Sequence, residues 1–291
     1  MANKFTRRRW RRPERMTLEH PPVVRRKDIG APTPLALEPS LARRASRRRL
    51  EILLVSFFGL CALEGLLIGA ASGRWVVFPV VAGIGVVYFL VAREFGDAWL
   101  RRALRARPGE PTRLHRLAAA EARSAGVPPP DVLVAPGAES NAISLSLRKR
   151  SIVLTSASEE MDELALEGML AHEVIHLRDG DAAVASLFLV LSAGPELLFR
   201  RAGAGCALAL PLLPVALALR LGRSFFIPAD REHRADVAAA MLTRYPPGIV
   251  EALETSGGSP TGFRVADGLW FVPRTAARDD VQKRAGLVGE M

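Results

Sequence analysis

The sequence predicts a mainly α-helical protein with a small β-sheet, combined with about four transmembrane helices. Three observations lead there. Long apolar runs recur in pairs along the 291 residues, and short β-prone runs are confined to residues 131–155. Between the two pairs of apolar runs, a helical stretch carries His172 and His176, four apart and so on one face. The length allows one or two domains with a sizeable core.

Residues 1–49 hold Arg7, Arg8, Arg9, Arg11 and Arg12, six prolines, and then Arg43, Arg44, Arg47, Arg48 and Arg49. Such a segment buries too little apolar surface to offset its ordering entropy, so a disordered basic arm is expected. Residues 1–50 carry 15 of the 40 Lys+Arg against 4 of the 30 Asp+Glu, which leaves the remainder nearly balanced at 25 against 26. The aromatic residues of the arm are Phe5 and Trp10 alone, so no specific nucleic acid is expected as a partner. A basic cluster directly before an apolar run is attracted instead to the anionic lipid of a cytoplasmic leaflet. Without a short charged region and a small-residue cleavage site, the arm is not expected to act as a signal peptide. Cys61 and Cys206 each lie inside an apolar run and read as small apolar residues, not as a disulfide.

Residues 52–71 are apolar except for Glu64, and residues 75–92 carry no charge. At 1.5 Å per residue each reaches about 27–30 Å, enough to span a hydrocarbon core. The two form a transmembrane hairpin over 50–93, joined by Ser72-Gly73-Arg74. Arginines crowd before the first span and after the second, at 93, 101, 102, 105 and 107, so both outer ends are expected in the cytoplasm. Glu64 is expected to face another helix, and Gly65 with Gly69 has the spacing of a close helix contact.

From residue 94 to 181 the composition is that of a soluble domain. Residues 111–125 read as a helix stopped at Gly126 and followed by three prolines. Short strands are expected at 131–135, 141–147 and 151–155. Ser156 with Glu159 suggests a capping box, and Asp162 opens the helix that bears the histidines. Two further apolar runs follow at 182–199 and 202–219, interrupted by Pro195, Glu196, Pro211 and Pro214. Residues 182–222 thus form a second pair of membrane segments, kinked or re-entrant at the prolines.

His172 and His176 can offer two imidazole nitrogens to one Zn²⁺, with Glu173 beside them to accept a proton from a water. Two partly buried histidines on an ordinary amphipathic helix are the plain alternative, and a third ligand decides between the two. Beyond the second apolar pair, in residues 223–291, stand Glu232 and Asp236, again four apart on a helical segment. One carboxylate can ligate zinc while the other orients a histidine from behind. Two histidines and one glutamate leave a fourth position open, as catalytic zinc sites do. A solvated charged helix is the alternative here. Two intervening spans, however, return the chain to the side it left, where His172 and Glu232 can meet.

The order His172-Glu-Val-Ile-His176, Gly180-Asp181, a pair of apolar runs, then Glu232-x-x-Ala-Asp236 resembles the HtpX-like family of integral-membrane zinc metalloproteases, relatives of the CAAX prenyl proteases, over roughly residues 50–255. The resemblance implies a zincin-like metalloprotease domain holding one Zn²⁺ per chain. His172, His176 and Glu232 would be its ligands, Glu173 the general base, and Asp236 and Asp181 the supports behind them. Asn141-Ala142 matches the family's Asn-Ala at the start of an edge strand, where a substrate peptide would pair as an added strand. The implied substrates are polypeptides at the cytoplasmic face of a cell inner or plasma membrane, misfolded membrane proteins among them. The lipid bilayer would be the other partner.

The sequence departs from the family in its long basic arm and in having Pro246-Pro247 where the family's His-Pro-Pro would include a histidine. Asn141, Tyr245 and His233 are candidates for stabilising an oxyanion, although His233 points about 100° away from Glu232 on a helix. His20 and His115 receive no role. Residues from 257 onward read as a peripheral tail, with Trp270 and Phe271 docked at the interface or the body. Two other classes of protein stay open at this point: a catalytically silent zinc-binding membrane scaffold, and an adaptor that acts through its basic tail.

Overall fold

A 34-residue helix, α1 (Pro39–Ser72), opens the computed structural model, which describes residues 38–109, 113–202, 209–258, 264–274 and 276–291. Residues 1–37 of the arm and Cys206 lie outside them. The arm was expected to reach residue 49, but residues 39–49 are helical. Pro39 at the first helical position starts the helix, and Ala42 and Ser46 extend the buried stripe Leu53, Phe57, Cys61, Gly65, Gly69 at mostly four-residue spacing. Packing of that stripe outweighs the arginine-rich composition.

Helix α2 (Val77–Ala103) returns beside α1. Their close approach requires small residues, as expected at position 65: a Cβ on Gly65 would stand 3.0 Å from the Phe78 backbone. The outer faces of the pair leave Val55, Leu63, Leu67, Trp75, Val76 and Val87 more than half exposed. A continuous apolar surface of this kind is expected to face lipid rather than water.

Strands β1 (Arg107–Pro108), β2 (Asp131–Ala135), β3 (Ala142–Ser146) and β4 (Arg150–Thr155) form one sheet in the order β1-β2-β4-β3. β2 runs parallel to β4, and β3 pairs antiparallel with β4 as an edge strand. Ala142 to Leu145 of β3 are all buried. Helices cover both faces. Ala142, Ile152 and Leu154 join one core, while Ile143, Leu145 and Val153 join the other, so alternate residues of the sheet point into two separate hydrophobic clusters.

Helix α3 (Arg113–Ser124) precedes the sheet and ends before Gly126, at φ +70°. The capping box expected at Ser156 is absent. Residues Ser156–Glu160 form a 3-10 turn, the Ser156 hydroxyl bonds Gly137, and Asp162 caps the next helix by accepting the Leu164 N–H at 2.9 Å. That helix, α4 (Glu163–Asp179), ends at Gly180, whose φ of +84° favours a residue without Cβ.

Helix α5 (Asp181–Ala202) follows at once and lies mostly inside the protein, with 72% of its apolar window buried. Then come α6 (Leu212–Leu221), the single turn α7 (Arg223–Phe226), α8 (Arg231–Thr243), α9 (Pro246–Thr255), a 3-10 segment (Arg264–Leu269) and α10 (Arg278–Gly289). Among the described residues, three helices are long and apolar enough to cross a membrane, or four if the pair bent by 67° at residue 222 counts as one span. The second half of that pair carries Arg231, Glu232, Arg234 and Asp236. Such charges fit a protein interior or an aqueous site better than lipid.

Candidate metal centre

α4 is buried on almost every side, from Ala165 to Leu177, because it sits between α1, the sheet, α8 and α9. It therefore lacks the amphipathic pattern of a surface helix, and its polar residues need internal partners. His172, Glu173 and His176 are each at most 1% exposed.

α8 supplies those partners. Glu232 Oε2 lies 3.2 Å from His172 Nε2 and 3.7 Å from His176 Nε2, and the two Nε2 atoms are 3.1 Å apart. Tetrahedral ligands about 2.0–2.1 Å from a zinc ion stand about 3.3–3.4 Å from one another. The three atoms thus form one face of such a tetrahedron. The other carboxylate oxygen, Oε1, accepts from Arg231 Nε at 2.7 Å, which leaves Oε2 to serve as a single donor. Both carboxylate oxygens of Glu173 are buried without a hydrogen-bond partner among the described residues. Unsatisfied buried carboxylate oxygens are costly, and a water or metal-held group beside them satisfies them. The residues present fit a divalent metal.

Each histidine has support behind its ring. His172 Nδ1 lies 2.8 Å from Asp236 Oδ1, and Arg284 of α10 holds both oxygens of Asp236 at 2.7 and 2.8 Å. His176 Nδ1 lies 3.7 Å from Asp181 Oδ2, while Asp181 Oδ1 accepts from the Ser46 hydroxyl at 2.7 Å.

The electrostatics favour a cation. Burial opposes ionisation of Glu232, but Arg231 and the two histidines hold its carboxyl well below the usual range. Asp236 is lowered against the same burial by Arg284 and His172, and Asp181 by His176, Arg231 and Ser46. Burial and Arg231 disfavour a charged His176, yet the nearby carboxylates of Asp181 and Glu232 lift its imidazole to about 9. A cluster that binds a proton so readily has the field to hold a metal cation.

Two expectations change here. Asn141 and Ala142 do not present an open pairing edge. Asn141 Nδ2 donates to Val272 O and Gly258 O, each at 2.7 Å, and its Oδ1 accepts from Val272 N–H at 3.1 Å. The Ala142 carbonyl accepts from Phe271 N–H at 2.9 Å. Correspondingly, residues 265–272 are not peripheral but buried or half-buried, with Trp270 and Phe271 docked on the body as expected. Trp270 and Phe271 are fully buried, the Phe271 ring meets His172 edge-on at 4.8 Å, and Arg284 Nη1 donates to Phe271 O at 2.7 Å. Apolar side chains of this size, beside a buried arginine that completes the Asp236 pair, are stabilised by entering the core.

Of the proposed oxyanion groups, Asn141 is committed to the chain and Tyr245 is 44% exposed at the start of α9. The cations that stand at the site are Arg231 and Arg284, with Arg284 Nη2 3.8 Å from Glu232 Oε2. Neither was expected. Arg231 adjoins Glu232 in sequence and was within reach of inspection, whereas nothing local marks Arg284.

Two histidines one turn apart on a buried helix, completed by a glutamate from a second helix and backed by a small sheet, define a zincin-like metallopeptidase. Comparison with known sequences agrees. The chain belongs to peptidase family M48, whose profile matches residues 108–255, and within it the chain is HtpX-like. It is similar to the Protease HtpX homolog of Persephonella marina, 26% identical over 231 residues that cover 70% of this chain and 76% of that protein. The homolog of Dictyoglomus thermophilum is 31% identical over 151 residues, 45% of this chain and 49% of that one. The homolog of Pyrococcus abyssi is 25% identical over 226 residues, 70% and 76% of the two chains. No solved structure matches the chain.

Proposed function

We propose that the protein is a membrane-bound zinc endopeptidase that holds one Zn²⁺ per chain on His172, His176 and Glu232 and cleaves polypeptides at the cytoplasmic membrane face. The carrying observation is the convergence of three ligand atoms within 4.8 Å of one another beside the unpartnered carboxylate of Glu173. A metal held there supplies Lewis acidity toward a peptide carbonyl and makes a water easier to deprotonate. Glu173, with both oxygens free, accepts the water's proton and returns it to the leaving amine. Asp236 and Asp181 fix the histidine rings so that both Nε2 atoms face the metal.

Asn141 and Ala142 serve the site by holding Gly258, Phe271 and Val272 in place beside it. The arginine clusters beside the apolar runs favour a cytoplasmic N-terminus, and with it a cytoplasmic catalytic domain formed from 94–181 and 223–291 and divided by the membrane pair 182–222. Polypeptides, misfolded membrane proteins among them, are the substrate class.

Glu173→Gln tests the reading: purified in detergent, it should retain zinc while cleavage of casein, or of the chain itself, falls at least 10²-fold, in keeping with the loss of a general base. Full activity in the variant would end the assignment of Glu173. A wild type that holds zinc yet shows no chelator-sensitive cleavage would point to a silent scaffold.

A further inference from the structure

The supports behind the two histidines are unequal. His172 rests on Asp236, which a bidentate arginine fixes. Asp181, behind His176, is the first residue of α5, and several groups compete for its carboxylate. Arg49 Nη1 lies 3.6 Å from Oδ1, Arg234 Nη2 3.7 Å from Oδ2, and His176 Nδ1 3.7 Å from Oδ2. The shortest contact is the neutral one, from the Ser46 hydroxyl to Oδ1 at 2.7 Å, and Ser46 is 3% exposed.

Ser46 belongs to α1, six residues before the apolar run begins. Its neighbour one turn earlier, Arg43, donates from Nε to the Arg178 carbonyl at 2.8 Å, at the end of the helix that carries both histidines. Residues 43, 46 and 49, spaced by three along α1, therefore grip the junction between α4 and α5 where Gly180 turns the chain.

We propose that Ser46 is a positioning residue of the metal centre: its hydroxyl fixes the Asp181 carboxylate and, through it, the ring of His176. Without the hydroxyl, Oδ1 is free to turn toward Arg49 or Arg234, both charged, and the support for His176 turns with it. The apolar helix α1 is thereby part of the metal site as well as an anchor. The inference rests on His176 being a metal ligand.

Loss of a group behind a metal-bound histidine typically lowers affinity by 10- to 100-fold. Ser46 acts one bond further out, so Ser46→Ala should weaken zinc binding by about tenfold, the lower end of that range. The measurement is chelator competition on the full chain in detergent, with the visible spectrum of the Co²⁺-loaded protein as a second readout. Ser46→Ala should shift the Co²⁺ bands, Ser46→Thr should restore both readouts toward wild type, and Arg47→Ala, on the exposed side of the same turn, should change neither. If wild type holds one zinc and Ser46→Ala matches it in affinity and spectrum, the role of Ser46 is refuted while the metal centre stands. If wild type holds no zinc, both fall.

Discussion

Replacing Arg284 by Met probes the centre from its far side. Asp236 is 0% exposed, and the guanidinium, with 14% of its side chain exposed, bonds both carboxylate oxygens. Methionine keeps much of the apolar stem but leaves a buried carboxylate with only His172 to face. Breaking a buried ion pair by removing one partner costs about 3–5 kcal/mol. At about 2–4 °C per kcal/mol for a chain of this size class, the melting temperature should fall by roughly 10 °C. The pH dependence carries a sign. In wild type the Asp236 carboxyl is held low, with Arg284 and His172 outweighing burial, so it contributes stability above its unfolded pKa that is lost as pH falls through the folded value. In the variant burial dominates, the carboxyl pKa rises, and acid relieves the penalty by protonating the group. The deficit relative to wild type should therefore be larger at pH 8 than at pH 5, as read by thermal unfolding in detergent at both values. Equal melting temperatures at pH 8, or a deficit that grows in acid, would refute the account of this pair.

Glu121 of α3 offers an independent pH test: burial first, then the charge of Glu167 and a hydrogen bond with it, push its carboxyl from 4.5 up to about 7. A raised folded pKa means that stability present below about pH 4.5 is lost as pH rises through about 7, by an amount on the order of 3 kcal/mol at 1.36 kcal/mol per unit. Glu121→Gln should flatten the fall in melting temperature across that window, and an unchanged slope would remove Glu121 as its source. On α4, a Cβ at Gly168 would meet the Gly248 backbone at 2.8 Å. Gly168→Ala should therefore cost about 1–3 kcal/mol by overpacking, visible as a lower denaturation midpoint, whereas a stable variant would show that α9 gives way freely.

The proposed metal ligands were legible as a group because their chemistry is local. His172, Glu173 and His176 lie within one helical turn and a half, and Glu232 with Asp236 repeats the same spacing, so both motifs declare a shared face before any fold is known. Arg284 was not legible, since a single arginine on a polar helix looks solvated until α10 packs 48 residues downstream of Asp236. Ser46 was hidden by its arginine neighbours, whose composition argues for a solvated arm while the four-residue stripe through Ala42, Ser46 and Leu53 argues for a packed helix. Residues 182–199 were readable as apolar but not as largely internal, since protein and lipid interiors select similar side chains.

Zinc content of the purified chain bears most directly on the centre built from α4 and α8. Wild type should carry about one equivalent, with His172→Ala and Glu232→Ala each close to none while remaining folded, as loss of one of three protein ligands dictates. Full zinc content in Glu232→Ala would contradict the claim that a carboxylate from the second helix completes the site.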